Sequence, residues 1–372
     1  MTTATDSAAG VGVRGGEGLQ VLTHSSMQCA KTCLRKNRLS YRYGIRRATD
    51  AKPLVIGRAG HEILDARRKG HADPINAGLA GYDASKPSTP ELIYDWEIDR
   101  ITIATLCAAY FWRWEEDDSN IVIVASELQF SMPLINPETG KPSRTYSLAG
   151  KMDAIISRHF RVGVMETKFI GQDLDPDSDY WKRLRIDSQI SIYFDAAKHA
   201  GHAPDFILYD VIRKPTIRPK QIPDLDEAGI KIVRDANGER VKNKDGTWKQ
   251  SGDSKLGYEL QSRLETPEEY GERLRQDIGE RPEFYFARRE FARLEPEMIE
   301  ARYDVWQTAQ ILRDCATHDR YPRNTGACIT FGKCPMFDLC ANGFDPDTDD
   351  LPEGYERVSN PHVELDADLL NA

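Results

Sequence analysis

Apolar residues recur along this chain in two periods, and the change from one to the other outlines its elements. The run "ELIYDWEIDRITIATLCAAYFWRWEED" is apolar at helical spacing throughout and predicts one long buried helix. "NIVIVASELQF", "SLAGKMDAIIS" and "RVGVMETKFIG" are β-branched and predict three successive strands. "KRLRIDSQISIYFDAAKHAG" returns to the helical period, with Ile186, Ile190, Tyr193 or Phe194 and Ala197 on one stripe and Gly201 just past its end. "DFILYDVIR" predicts another buried strand. Upstream, "SSMQCAKTCLRKNRLSYRYG" reads as a helix capped by Ser25 or Ser26, and "GRAGHEILDARRKG" as a second helix bounded by glycines. Downstream, residues 266–316 read as helical, opened by a capping box of Thr266 and Glu269. The order is α-β-β-β-α-β with added helices, and no internal repeat is evident.

Between Lys214 and Gly257 the pattern turns polar. Asn-Gly and Asp-Gly pairs predict an inserted hairpin or loop there. Residues 1–22 are rich in Gly, Ala, Ser and Thr, and residues 346–372 are acidic with prolines; both are expected to be loose tails around a domain spanning 23–345. No apolar run reaches membrane-spanning length and the start lacks a signal-peptide core, so a cytoplasmic location is the expectation.

The net charge of −9 does not advertise a nucleic-acid binder, but its distribution is uneven. Residues 31–47 hold seven Lys and Arg, among them Arg35, Lys36 and Arg38, with no acid. Arg213 and Lys214 begin a second basic stretch. These five residues are the candidate phosphate contacts.

The chemistry concentrates in the second and third strands. Side chains alternate along a strand, so Lys151, Asp153, Ile155 and Ser157 share one face, and Val162, Val164, Glu166 and Lys168 share another. A hairpin turning symmetrically about His159 and Phe160 places Asp153 directly across from Glu166. Like charges in that position are destabilising. A hard divalent cation, Mg²⁺ or Mn²⁺, resolves the conflict by taking both carboxylates as oxygen ligands. Lys168, two residues along the same face, lies beside it. Two carboxylates on a metal with an adjacent amine suit in-line attack of water on a phosphodiester. Lys168 would stabilise the developing charge and help position or deprotonate the water. Taken alone, the same three charges also fit a salt bridge on a half-exposed sheet.

"GKMDAII", "VMETK" and "QISIY" together resemble the PD-(D/E)XK nuclease superfamily, and "GRAGHEIL" resembles the Gly…His segment of its RecB-type branch. The resemblance runs from about residue 25 to 343. It implies an α/β fold, the restriction-endonuclease-like αβββαβ core, and a metal-dependent DNA exonuclease active in phage, recombination, repair or CRISPR-type processing. It implies catalytic roles for Asp153, Glu166, Lys168, Gln189 and Tyr193. It implies His61 and the backbone carbonyl of Thr167 as further metal ligands, with Glu127 as an acid preceding the hairpin. By its own strand Glu127 shares a face with Ile121, Ile123 and Ala125. The alternative function is a catalytically silent DNA-binding or scaffold subunit; a helicase or recombinase is the candidate protein partner.

Seven cysteines are present, and Cys328, Cys334 and Cys340 are clustered with five residues between neighbours. In a cytosolic chain such clustering suggests metal before disulfide. Three thiolates are one short of a closed tetrahedral site. An iron–sulfur subgroup of RecB-type nucleases supplies the fourth from its N-terminal helix. That resemblance implies a 4Fe–4S clasp on Cys33, Cys328, Cys334 and Cys340, with Cys29 as the alternative N-terminal ligand and Zn²⁺ as the alternative metal. Leu34 stands where the subgroup prefers Pro, and the five-then-five spacing differs from its commoner two-then-five form.

Overall fold

The turn at His159–Phe160 organises the centre of the molecule. A computed structural model describes residues 14–15, 19–49, 52–330 and 332–365. Both turn residues have left-handed backbones (φ 50° and 62°), the conformation that matches a two-residue hairpin to the twist of its strands. The turn joins β4 (Pro142–Arg158) to β5 (Arg161–Ile170) and pairs Arg158 with Arg161 and Ala154 with Met165. One further step of this register puts Asp153 opposite Glu166, as the sequence predicts.

The remaining elements build outward from that hairpin. In chain order they include β1 (Leu19–Leu22), β2 (Ile45–Arg47), β3 (Ile121–Ile135), then β4 and β5, β6 (Phe206–Arg213), β7 (Phe286–Phe291) and β8 (Tyr355–Arg357). The main helices are α1 (His24–Thr32), α2 (Lys52–Arg68), α3 (Pro90–Arg113), α4 (Ser188–His199) and α5 (Glu295–His318). A seven-stranded mixed sheet runs from the two-residue strand Arg14–Gly15 through β1, β4, β5 and β6 to β7, with β3 paired to β4. Strand β4 is antiparallel to β3 along one edge. On its other edge it pairs first with β1 at Tyr146–Leu148, in parallel, and then with β5 from Ala154 onward. The sheet therefore forks beside residues 149–153.

One face of the sheet packs Ile155, Val164, Tyr209 and Val211 against Ile190 and Phe194 of α4 and Leu312 of α5. On the other side α3 contributes Leu106 and Tyr110 to a second cluster with Ile212, Tyr285 and Phe286. Gly60 lets α2 approach β5, because a Cβ there would meet the Phe169 ring at 2.2 Å. No helix among the described residues is long and apolar enough to cross a membrane.

Several elements differ from the sequence reading. The N-cap of α1 is Thr23, which forms a capping box with Ser26. The expected helix over 182–201 is two helices, Asp179–Leu184 and α4, because Asp187 caps the second by accepting from the Gln189 N–H; Ile186 falls in the break and is exposed. The helical reading of 266–316 conceals strand β7, which pairs antiparallel with β6. The polar insertion is a chain of short ladders in which Asp226, Asp235, Asn243 and Asp253 each close a tight turn onto Ile230, Glu239, Thr247 and Tyr258. Expected as loose, residues 346–365 instead include β8, paired with β2. Of the expected tails, residues 1–13, 16–18 and 366–372 lie outside the described residues.

Candidate active site

The acid pair belongs to a row of three. Ser126 pairs with Ala154 and Leu128 with Met152, which brackets Glu127 opposite Asp153. Strands β3, β4 and β5 thus carry Glu127, Asp153 and Glu166 on one rung. This corrects the apolar company expected for Glu127. A bulge between Ile123 and Ala125 adds one residue, and a one-residue shift moves every later side chain to the other face. Ile123 packs with Ile156 on one face, while Ala125 packs with Ile155 on the other. Glu127 itself is left-handed (φ 51°) and ion-pairs with Lys151.

The pair is held by close partners. Asp153 is 7% exposed and accepts from the Thr167 N–H at 2.7 Å. His61 on α2 brings Nδ1 to 3.4 Å from Asp153 Oδ2, its ring edge-on to Phe169. Glu166 is 3% exposed. Its Oε1 accepts from Lys168 and, at 3.3 Å, from Gln189 Nε2. Gln189 also donates to the Tyr193 hydroxyl at 2.8 Å, which donates in turn to the Lys151 carbonyl at 2.8 Å. The helical i, i+4 spacing of Gln189 and Tyr193 makes this chain possible. Glu166 Oε2 is buried and has no hydrogen-bond partner.

These environments push the four groups apart. Burial raises the Glu166 carboxyl to about 7, and Lys168 only partly offsets it. Burial would also raise Asp153, but the His61 charge, its hydrogen bond and Arg68 hold it well below the usual carboxylate range. Burial would lower His61, and the Asp153 charge outweighs it so that the imidazole moves up. Burial would lower Lys168 too, yet Glu166 holds it above its ordinary value. Lys168 therefore stays an ammonium at neutral pH. In that form it can stabilise developing negative charge.

His61, Glu127, Asp153, Glu166, Lys168, Gln189 and Tyr193 line a cleft of about 550 Å³. Its cations are Arg46, Arg58, Lys151 and Lys168, and its walls add Glu62, Asp65 and His24. Arg58, Glu62 and Asp65 went unnoticed in the sequence, although Leu54, Arg58, Glu62 and Asp65 fall at intervals of three to four residues beside His61 on α2.

None of the five expected phosphate contacts lines this cleft. Arg38 is buried, and one of its amino groups donates to the Asp319 carboxylate at 2.9 Å and to the Tyr43 hydroxyl at 3.3 Å. Arg35 donates to the Tyr321 carbonyl. Arg213 pairs with Asp173 and stacks on Phe284. Burial lowers the Lys214 amine. Lys36 is half-buried.

The cysteines meet at one corner through Asn324. Its N–H donates to Cys33 Sγ at 3.4 Å, its side chain to the Thr32 carbonyl, and its carbonyl lies 3.8 Å from Cys328 Sγ. The Cys334 N–H donates to the Cys328 carbonyl, and Cys334 and Cys340 pack beside Leu39 and Ile45. Cys29, Cys33, Cys328, Cys334 and Cys340 are free and half-buried; Cys107 and Cys315 are buried in the core. Among the described residues, no group of three or more His, Cys, Asp or Glu side chains is gathered closely enough to hold a metal ion.

The family model for the PD-(D/E)XK nuclease superfamily matches residues 21–340. No curated protein sequence is significantly similar to the chain. Among solved structures, a candidate exonuclease from Eubacterium rectale is 10% identical, with a TM-score of 0.37 over 84% of this chain and 93% of that one. A second, known by a locus designation, is 18% identical, with a TM-score of 0.19 over 46% of this chain and 68% of that one. Both likenesses are too slight to carry an argument.

Proposed function

Since the chain belongs to the PD-(D/E)XK nuclease superfamily, we propose that it is a Mg²⁺- or Mn²⁺-dependent exonuclease that hydrolyses phosphodiester bonds in DNA. The observation that carries this reading is the unpartnered, buried oxygen of Glu166, set opposite Asp153 and beside Lys168. Buried carboxylate oxygens are almost always satisfied, and this one is an acceptor without a donor. A hard divalent cation suits such a donor set. Asp153, Glu166 and the Thr167 carbonyl would hold it, with His61 as a further ligand once it leaves Asp153. When bound, the cation supplies charge neutralisation and an activated water.

The protein's own groups do the rest. Lys168, held as an ammonium, stabilises the charge that develops on the phosphoryl oxygens. Gln189 fixes the Glu166 carboxylate, and Tyr193 fixes Gln189 against the β4 backbone. The reading is tested with end-labelled linear DNA and Mg²⁺ or Mn²⁺. Shortening from the labelled end, stopped by EDTA and restored by added metal, is the expected result. Intact DNA under all metal conditions would overturn it.

Glu166 must be ionised to take part. Its folded value of about 7 lies above the ordinary 4.5, so it keeps its proton up to near neutrality. Activity should rise with pH through about 7 and level off above it. Higher Mn²⁺ should move that rise to lower pH, because metal and proton compete for the same carboxylate. A profile flat from pH 6 to 8 at limiting metal would remove Glu166 from the site.

We further assign Cys33, Cys328, Cys334 and Cys340 to a 4Fe–4S cluster, with Zn²⁺ as the alternative and Cys29 as the alternative N-terminal ligand. Asn324 links Cys33 to Cys328, and the Cys334 N–H bonds the Cys328 carbonyl, which puts three of the four in one region; the thiols would have to draw together around the cluster. Anaerobically purified protein should carry iron and acid-labile sulfide. Cys328→Ala should lose both, and Cys107→Ala should keep them. Stoichiometric zinc without iron would replace the cluster by a zinc site.

A further inference from the structure

The chain returns to its own cleft just before residue 366. Past β8, the Val358 N–H donates to the Gly44 carbonyl at 2.8 Å. Gly44 has φ +63°, and a Cβ there would meet the Val358 carbonyl at 2.3 Å, so this approach requires glycine. Arg46 donates to the Pro361 carbonyl. His362, buried, packs against Tyr41 with ring centroids 5.3 Å apart and planes tilted by 39°, and its ring lies 3.5 Å from the Thr23 hydroxyl. Leu365 is 3% exposed and packs on Val21 and Ala149. Between these anchors Val363 and Glu364 line the cleft. Val363 is 61% exposed, and Glu364 Oε1 is buried without a hydrogen-bond partner. Nothing in the proposed chemistry uses either residue.

Position gives this strap a meaning. Ala149 and Asp153 lie on the same face of β4, four residues apart, which is about 13 Å along a strand. Leu365 therefore sits on the catalytic face itself, beyond the acid row. A distance of that size is the rise of about four stacked nucleotides. The wall there is anchored at five points rather than hinged, and it presents a carboxylate to any polyanion that continues past it. Like charges so placed select against a partner.

We infer that residues 361–365, through Val363 and Glu364, are the end stop of the cleft: they admit a strand terminus and block a continuous strand. The inference rests on the nuclease reading and supplies the reason such a site would act on ends. It also sets a product size, because the piece released lies between the acid row and the strap and spans about four nucleotides or fewer.

The test compares linear and covalently closed circular single-stranded DNA of the same sequence, with Mg²⁺. Three proteins are used: the wild type, Val363→Ala/Glu364→Ala, and a chain lacking residues 359–372. The double variant keeps every anchor, so it is expected to fold even if the shortened chain does not. The wild type should degrade the linear strand to pieces of about four nucleotides or fewer and spare the circle. The double variant should raise the circle-to-linear rate ratio roughly tenfold or more, and the shortened chain, if folded, should raise it further and release longer pieces. A ratio and product length unchanged in the folded double variant would overturn the end stop. So would a wild type that opens circles as fast as it digests ends. A wild type that cuts neither substrate would instead overturn the nuclease reading, and the end stop with it.

Discussion

Asp153→Asn and Glu166→Gln are each expected to reduce DNA cleavage by about three orders of magnitude, the scale set by removing a preorganised charged group from a reaction centre. Their effects on folding should have opposite signs. Glu166 is buried and resists ionisation, with a value raised from 4.5 to about 7. A raised acid stabilises the fold in full below its unfolded value, and that contribution is lost as pH rises through the folded one. At pH 8 the wild type therefore bears the whole cost of a buried charge, and Glu166→Gln should melt higher without metal. Asp153 is lowered instead, so its contribution is present above its ordinary value and is lost only as pH falls through the folded one. Asp153→Asn should melt lower at pH 8, losing about 1–3 kcal/mol of stability, because His61 and the Thr167 N–H lose a charged acceptor. Such a split marks a site kept unstable for its chemistry. Melting of both variants below the wild type would point to an ordinary ion-pair network.

A second large effect lies on the far side of the sheet. Arg288 on β7 is 3% exposed and Asp210 on β6 is fully buried. The guanidinium donates to Asp210 at 2.7 and 3.1 Å, to the Tyr110 hydroxyl at 2.9 Å and to Asp118 at 2.7 Å. Arg288→Met leaves the Asp210 carboxylate in the core with the Tyr110 hydroxyl but no cation, which should cost about 3–5 kcal/mol. Chemical denaturation measures this directly. Adding Asp210→Asn should recover part of the loss, since the stranded charge is gone. A cost below about 1 kcal/mol would mean that water reaches Asp210 and that the corner formed by α3, β6 and β7 is held by apolar packing alone.

What could be read from the sequence follows how local its cause is. The register of the β4–β5 hairpin was legible because a two-residue turn fixes it, and Asp153 and Glu166 came with it. The facing of Glu127 was not, since a single bulged residue near Val124 inverts every later position and leaves no mark in the composition. Strand β7 was hidden because "FARREF" shows neither clean alternation nor a helical stripe, and Arg288 makes sense only beside Asp210, far away in sequence. The pairing of Arg38 with Asp319 was not legible, because a charge run does not reveal its partners. The C-terminal strap reads as disorder by composition, and a few residues spread over the segment decide otherwise: Val358 on Gly44, Pro361 on Arg46, His362 on Tyr41 and Leu365 on Ala149. On α2, by contrast, Arg58, Glu62 and Asp65 were available to any reading that extended the helical period through His61.

The central claim is that the buried acid pair is a cation site serving phosphodiester hydrolysis. Calorimetric titration of the metal-free protein with Mn²⁺ near pH 7, in buffers of different ionisation enthalpy, tests it most directly. The account predicts saturable binding with net release of protons, because Glu166 must give up its proton to become a ligand. It predicts that this binding disappears in Asp153→Asn, while a correctly folded protein remains by circular dichroism. Mn²⁺ binding of equal affinity and equal proton release in Asp153→Asn would contradict it.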